Sequence, residues 1–308
     1  MGGADPLRAD GARRERAALL GSAVVAGVLG TAGVVWGLVA GSGVILFDGV
    51  YSLAGIALVA VSFLASRAAR SSPSDRYPFG RHAATPLAVA MQGTALIATL
   101  VYGAADAAGT LLAGGSDGDP ASLLAYGAVT AVASAVAAVA LRRRAPDSEL
   151  VHAEVVSWRA GAWLSVVVAL GGVAGRLLQD AGHRVAAGYV DPVLLLLAVL
   201  LVAPLPVRLV RAGMHELLEG APPPEVGAEI ARVVEAARAR HDLPEALVRA
   251  TKLGRRLYVE VDFVVGTGSA WDVDAEDAVR HAVVDPLLLL PYDVWATVEI
   301  TADPDLAW

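Results

Sequence analysis

Cysteine is absent from the 308 residues, which removes disulfides, thiolate metal sites and cysteine nucleophiles. Charge is scarce as well. Asp, Glu, Lys and Arg make up 18% of the chain and hydrophobic residues 56%, whereas an average soluble domain is about a quarter charged and about half apolar. There is no phosphate-binding glycine loop, no HExxH-type helix and no paired nucleophile and base, so enzymatic chemistry is not expected. The net charge of -7 says little until its distribution is known, and no nucleic-acid partner is expected.

What is present is long apolar sequence. Six stretches, at about 17–40, 43–66, 86–113, 121–141, 153–176 and 190–211, are long enough to cross about 30 Å of hydrocarbon at 1.5 Å per helical residue. A soluble core can bury one such helix but hardly six in series. The first run exceeds a signal-peptide core and lacks a cleavage site, so it is read as a retained span. The breaks between spans carry the arginines unevenly. Arg8, Arg13, Arg14 and Arg16 precede the first span, Arg67, Arg70, Arg76 and Arg81 follow the second, Arg142 to Arg144 follow the fourth, and Arg208 and Arg211 close the sixth. The opposite side has only Arg176 and Arg184, and its loop 114–120 is acidic. The bias places both termini in the cytoplasm and the chain, multi-pass, in the inner (plasma) membrane.

The last ninety or so residues lose the apolar excess, with the shift near Pro222-Pro223-Pro224. Val226 to Arg240 has helical spacing, Leu247–Lys252 and Leu257–Val264 read as strands around a Gly254-Arg255 turn, Asp272 caps a second helix, and Val294 to Ile300 is a last strand. The expected fold class is therefore a membrane α-helical domain of six transmembrane helices followed by a small α+β (α-β-β-α-β) cytoplasmic domain. The expected divisions are an N-terminal arm 1–16, a membrane domain 17–212 and a C-terminal domain 213–308.

A charged side chain at the centre of a span costs about 2.5–3.5 kcal/mol on insertion scales, so each one needs a reason. Asp48, Asp106, Glu154 and Arg159 stand out, with Gln92 a weaker fifth. Asp48 and Glu154 are the most informative. Each is followed three positions on by a hydroxyl-bearing residue, Tyr51 or Ser157, and seven positions on by glycine, Gly55 or Gly161, with Ser52 beside Tyr51. Offsets of three and seven share one helical face, and hard oxygen ligands suit a divalent cation. Two readings stay open: a cation site shared between two helices, or carboxylates that cap helix ends or pair with Arg159. Arg159 lies five residues from Glu154, about 140° round the helix, so a pair within that helix is poor. A pair with Asp48 or Asp106 across the bundle is the alternative.

At these residues the sequence resembles the cation diffusion facilitator family. The resemblance rests on Asp48-x-x-Tyr51-Ser52-Leu53, the Tyr77-Pro78-Phe79-Gly80 turn, Asp191-Pro192 opening the sixth span, and the α-β-β-α-β tail. Phe47-Asp48-Gly49 with Thr85-Pro86-Leu87 is similar to a bacterial branch of predicted cation transporters. The resemblance implies a dimeric exporter of zinc, iron, manganese, cobalt or cadmium, driven by proton antiport. It also implies two ligands four residues apart on the second and fifth spans. Those positions fall here on Tyr51 and Gly55, and on Ser157 and Gly161, none of them His or Asp, so a tetrahedral His/Asp zinc site is not carried over.

Asp48 and Glu154, one turn earlier, are the candidate replacement, joined by Ser52, Ser157 and Tyr51. In the loop only Asp75 and His82 remain as candidate ligands. In the tail, Asp262 and Asp303 match metal-binding positions of some relatives, although the accompanying histidines are missing and strand-end aspartates are more often solvated. His215 and His241 are expected at the surface. The expected activity is export of a divalent cation (Mn, Fe, Mg, Zn or Co) by a homodimer in the lipid bilayer, with the metal ion and protons as its other partners and no resident cofactor. The alternative is a non-transporting membrane scaffold or regulatory relative that has lost the metal site.

Overall fold

The computed structural model describes residues 6–69, 73–144, 149–244, 246–267 and 271–307. Eight helices come first: α1 Pro6–Ala40, α2 Gly43–Ala69, α3 Ala84–Leu112, α4 Pro120–Arg144, α5 Glu149–Asp180, α6 Arg184–Gly188, α7 Val190–Val202 and α8 Pro204–Leu217. The chain continues through α9 Pro224–His241, β1 Ala246–Leu253, β2 Arg256–Val264, α10 Val273–Leu287 and β3 Asp293–Thr301, and ends in a 3₁₀ turn at Pro304–Ala307. Among the described residues, five helical segments are long and apolar enough to cross a membrane: Ala17–Ala40, Ala84–Leu112, Pro120–Arg144, Glu154–Asp180 and Arg184–Leu217. The apolar part of α2, Gly43–Leu58, is shorter.

The last apolar stretch is not the single uninterrupted span that hydropathy suggests. Its helix is interrupted at Ala203, between α7 and α8. Pro204 and Pro206 lack the N–H groups that would bond back to Leu200 and Val202, so the ladder opens there. The preceding break also contains a helical turn, α6.

The chain divides into two compact units, residues 1–60 with 94–207 and residues 61–93 with 208–308. In the first, glycines set the helix spacing. A Cβ on Gly33 would lie 3.1 Å from the Gly49 Cα, and one on Gly37 would lie 2.4 Å from the Leu46 nitrogen, so α1 and α2 run antiparallel in backbone contact. α4 and α5 meet the same way. A Cβ on Gly172 would sit 2.3 Å from the Leu124 nitrogen and one on Gly127 2.5 Å from the Ala169 nitrogen. Small residues at such crossings are how helices associate without a hydrophobic driving force between them. The core is Val44, Ile45, Phe47, Leu100, Leu123, Tyr126, Leu195 and Val199. The outward faces are also apolar, with Val24, Leu38, Leu170 and Leu200 all exposed. A water-soluble bundle reverses that polarity, whereas lipid accepts it.

The second unit holds a three-stranded sheet in the order β1-β2-β3. β2 pairs antiparallel with β1 and parallel with β3. Leu257, Val259, Val261 and Phe263 alternate along β2 into a core with Ile230, Val233 and Val234 of α9 and Val279, Val283 and Leu287 of α10. The period-two pattern placed that face. Asp272 caps α10, its Oδ1 accepting from the Ala275 N–H at 2.8 Å, as the residue type predicts. Gly254, at φ +63°, turns β1 into β2. Around that turn several groups converge. Glu216 of α8 accepts from the Gly254 N–H at 2.9 Å and from Lys252 Nζ. Arg256 donates to His82 Nε2 and pairs with Asp293 at 3.2 Å. Phe79 meets Trp295 edge to face with centroids 5.7 Å apart. The α2–α3 connection, the end of α8 and the sheet are thus one packed body.

Candidate functional site

Asp48 sits one turn inside α2, where the chain has just left the Gly41-Ser42 break. Tyr126 of α4 donates its hydroxyl to Asp48 Oδ2 at 2.6 Å. The phenol reaches that far because α1 presents no side chain at the crossing: a Cβ on Gly33 would lie 2.7 Å from the Tyr126 oxygen. Trp36 holds the Tyr126 ring edge to face, with centroids 5.7 Å apart. Asp48 forms no ion pair among the described residues, and the Tyr126 group bonded to it is a neutral hydroxyl.

One turn on, Tyr51 stacks on Phe47 at 5.7 Å, and its buried hydroxyl has no hydrogen-bond partner among the described residues. Ser52 turns toward Gly30 of α1, where a Cβ would lie 3.3 Å from the Ser52 Cβ.

Glu154 lies on the first turns of α5, half-buried. Its Oε1 accepts from Ser22 Oγ of α1 at 2.5 Å, and Ser22 Oγ in turn accepts from Trp158 Nε1 at 2.7 Å. Ser22 is 4% exposed, so the carboxylate faces the α1–α5 contact. Ser157 points to the exposed side of α5.

The two acids therefore do not share a level. Asp48 is at the height of Gly33 on α1 and Glu154 at the height of Ser22. Eleven residues of helix separate those heights, about 16 Å. The α4–α5 pair gives the same ruler, because Gly127, next to Tyr126, meets Ser165 and Ala169, eleven and fifteen residues beyond Glu154. Ion–oxygen distances of 2.0–2.6 Å do not bridge such a gap, so this conformation does not bring the two carboxylates onto one ion. Among the described residues no three His, Asp or Glu side chains cluster as a metal site.

A third acid was legible only as the start of the last span. Asp191 of α7 is 5% exposed and caps a different helix, α2. Its Oδ2 accepts from the Gly43 N–H at 2.9 Å, while Oδ1 accepts from the Ser42 hydroxyl and, at 3.4 Å, from the Val44 N–H. This satisfies α2's first orphan donors and places a carboxylate at the positive end of its dipole. Asp106 of α3 is exposed, but its Oδ2 reaches to 3.3 Å from where a Gly43 Cβ would be. Asp106 is thus beside Asp191 and the start of α2. Arg159, expected across the bundle from Asp106 or Asp48, pairs with neither. It lines a cavity with Arg142 and Arg143.

The remaining sequence candidates have other surroundings. Asp75 is exposed in the loop, and His82 is the acceptor for Arg256. Asp262, 3% exposed, is paired with Arg249 at 3.2 Å, and Arg249 also holds Glu260 at 3.0 Å and the Ala307 carbonyl. Asp303 Oδ1 accepts from the Asp305 N–H at 3.0 Å, starting the terminal turn. His215 Nε2 lies 2.9 Å from the Ala221 carbonyl oxygen, and His241 has a buried Nε2 without a partner among the described residues rather than the surface position expected of it. Gln92 is half-buried in α3. Tyr126, Ser22, Trp158 and Asp191 were missed as partners. The available signal was a scatter of polar side chains (hydroxyls, indoles and the Asp191 carboxylate) in otherwise apolar spans.

A family model for the cation efflux transmembrane domain matches residues 19–218, more than half of the chain, from within α1 to the end of α8. The chain belongs to the cation efflux family. No curated protein matches it.

This cation efflux protein is accordingly a multi-pass membrane protein and a cation transporter. The C-terminal sheet lies outside the matched residues. Within them, the four positions where the resemblance implies ligands are occupied by Tyr51, Gly55, Ser157 and Gly161. A Cβ on Gly55 would meet nothing within 4 Å, and one on Gly161 only Ser134 Oγ at 3.9 Å. Space for side chains exists at both glycines, but carboxylate or imidazole donors are missing there. One turn earlier on each helix stand the acids Asp48 and Glu154.

Proposed function

We propose that this cation efflux protein exports a divalent cation from the cytoplasm in exchange for protons, using Asp48 and Glu154 as two successive stations. The observation that carries the reading is the neutrality of Asp48's partner. A carboxylate inside a spanning bundle calls for positive charge, and Tyr126 supplies only a hydroxyl. A metal ion or a proton can each fill that role, and alternation between them is antiport. Tyr51 and Ser52 add oxygen donors on the turn after Asp48, and Ser22 adds one beside Glu154, whereas Ser157, on the exposed side of α5, is assigned no part. An all-oxygen environment favours manganese, ferrous iron or magnesium over zinc or cobalt. In this reading α2 is a sixth span, the membrane domain covers 17–212 and both termini face the cytoplasm. Two copies then form a homodimer in the inner membrane through the 213–308 domain. Asp75, Asp262 and Asp303 are assigned no part in the path, since Asp262 and Asp303 already serve Arg249 and the terminal turn.

The test is metal flux in proteoliposomes with an imposed pH gradient, comparing the unaltered protein with Asp48→Asn and Glu154→Gln. Flux that collapses when the gradient is dissipated and drops in both variants supports exchange through these acids. Flux unchanged in both variants removes them from the path.

A second reading, a membrane scaffold that no longer transports, is favoured by one observation: no cluster of three ligating side chains occurs among the described residues. Calorimetry with manganese separates the two. A scaffold binds no divalent cation at micromolar concentration.

A further inference from the structure

Arg159 is a basic side chain that the transport reading leaves without a task, although it lies within the Glu154–Asp180 spanning segment. A guanidinium at that depth is costly without a counter-charge. The expected acids are elsewhere: Asp48 is with Tyr126 and Glu154 is with Ser22, while Asp106 lies beside Gly43 at the far end of the bundle. What surrounds Arg159 is more positive charge. With Arg142 and Arg143 of α4 it lines a cavity of roughly 400 Å³, whose other walls are Ala138 and Val139.

The α4 residues stand at offsets of one, four and five, a single face of that helix, and α5 packs antiparallel against it. Arg144 is directed elsewhere, its Nη1 lying 3.6 Å from where a Gly21 Cβ on α1 would be. Among the described residues no carboxylate pairs with Arg142, Arg143 or Arg159. Three guanidiniums that pair with no carboxylate among the described residues line one cavity with Ala138 and Val139, an arrangement that matches a phosphate group carrying acyl chains. Guanidinium forks bind phosphate oxygens in bidentate fashion, and basic pockets between spanning helices at the membrane surface hold anionic headgroups.

We propose that Arg142, Arg143 and Arg159 form a binding site for a phosphate group, supplied by the headgroup of an anionic phospholipid whose chains lie along Ala138 and Val139. The assignment to the cytoplasmic leaflet rests on the orientation proposed above. The site itself depends neither on that orientation nor on transport. Bound there, the lipid cancels the charge that α4 and α5 bring together and fastens that end of the pair to the bilayer surface.

The experiment uses the full chain purified in neutral detergent. Native mass spectrometry measures retention of phosphatidylglycerol against phosphatidylcholine, with and without millimolar inorganic phosphate, for the unaltered protein and for Arg159→Gln, Arg142→Gln/Arg143→Gln and the triple variant. Arg208→Gln/Arg211→Gln serves as a charge-matched control. Phosphatidylglycerol affinity is expected to fall about fivefold for each arginine removed from the cavity, about 1 kcal/mol apiece. It should hold in the control and be partly restored by Arg159→Lys. Indifference to inorganic phosphate supports the lipid source. Displacement by inorganic phosphate, with no preference between the two lipids, keeps the phosphate site but overturns the lipid source. Equal phosphatidylglycerol retention by the unaltered protein and the triple variant, each monodisperse with an unchanged melting temperature, overturns the site.

Discussion

The Tyr126 hydroxyl donates to Asp48 Oδ2 at 2.6 Å, passing over α1 at a glycine. The bond ties α2 to α4 and gives the carboxylate a donor that carries no charge. Removing the donor and removing the charge should therefore have different consequences. Tyr126→Phe keeps the ring against Trp36 but leaves the carboxylate without that donor, which costs about 1–3 kcal/mol. Its melting temperature in detergent should drop. Asp48→Asn keeps an acceptor for Tyr126 and should melt near the unaltered protein, while metal flux falls about tenfold or more, since interactions to a charged group are worth about 1.5–3 kcal/mol. Equal melting losses in the two variants would make Asp48 structural.

Asp191 shows how a residue read as the start of one span can serve another. Asp191→Ala removes the acceptor for the Ser42 hydroxyl and for two backbone N–H groups of α2. Loss of an N-terminal cap costs about 0.5–2 kcal/mol, and a buried site falls at the upper end. Asp191→Asn, which keeps one acceptor oxygen, should recover part of the loss in a thermal melt. Recovery by Asn but not by Ala identifies capping as the role.

The α4–α5 contact makes a steric prediction. Gly172→Ala places a methyl 2.3 Å from the Leu124 nitrogen, so two backbones have to part. Overpacking of this kind typically costs about 1–3 kcal/mol. Gly161→Ala, on the same helix, meets only Ser134 Oγ at 3.9 Å and should be tolerated. The yield of monodisperse protein after solubilisation reads both, and poor yield from both variants would contradict the glycine spacing described above.

His82 gives a pH dependence with a definite sign. Burial first, and then the Arg256 guanidinium beside it, hold its pKa below the ordinary 6.5, with Asp293 opposing. Folded protein thus binds fewer protons at His82 than unfolded protein does, and stability rises with pH across the interval from the lowered value up to about 6.5. Acidification through that interval should weaken the packing of the α2–α3 connection on the sheet, because protonated His82 no longer accepts from Arg256. His82→Gln retains an acceptor that does not titrate. Its melting temperature should change less with pH between 7 and 5 than that of the unaltered protein, and parallel pH profiles would count against this role.

Local signals sufficed wherever one segment's own pattern decides its structure. Alternation along Leu257–Phe263 placed β2, and the acidic turn after Asp272 placed the start of α10. In both cases the side-chain period equals the backbone period, so a single segment carries the information. The break at Ala203 was likewise written in Pro204 and Pro206, although continuous hydropathy masked it. Asp262 was harder. Its position on β2 was legible, but its pairing with Arg249 depends on the register between β1 and β2, where Leu247 faces Asp262 and Arg249 faces Glu260. Neither strand specifies that alone.

Composition and periodicity by themselves determined a chain threaded through a membrane, with a small sheet domain after its helices, whereas the cation efflux family rests on motif resemblance and on the matching family model. Long apolar runs, arginine bias and strand alternation act within one segment or through bulk transfer energies. Only the tertiary structure decided where each buried charge finds its partner. Asp48 and Glu154 look like one pair along the sequence, yet the antiparallel stacking of α1 against α2 and of α4 against α5 sets them at levels about 16 Å apart along the helices. Asp191 goes to α2, and Arg159 joins Arg142 and Arg143. Such pairings are fixed by where glycines let backbones close and by the height at which each helix begins, and no single helix contains either quantity.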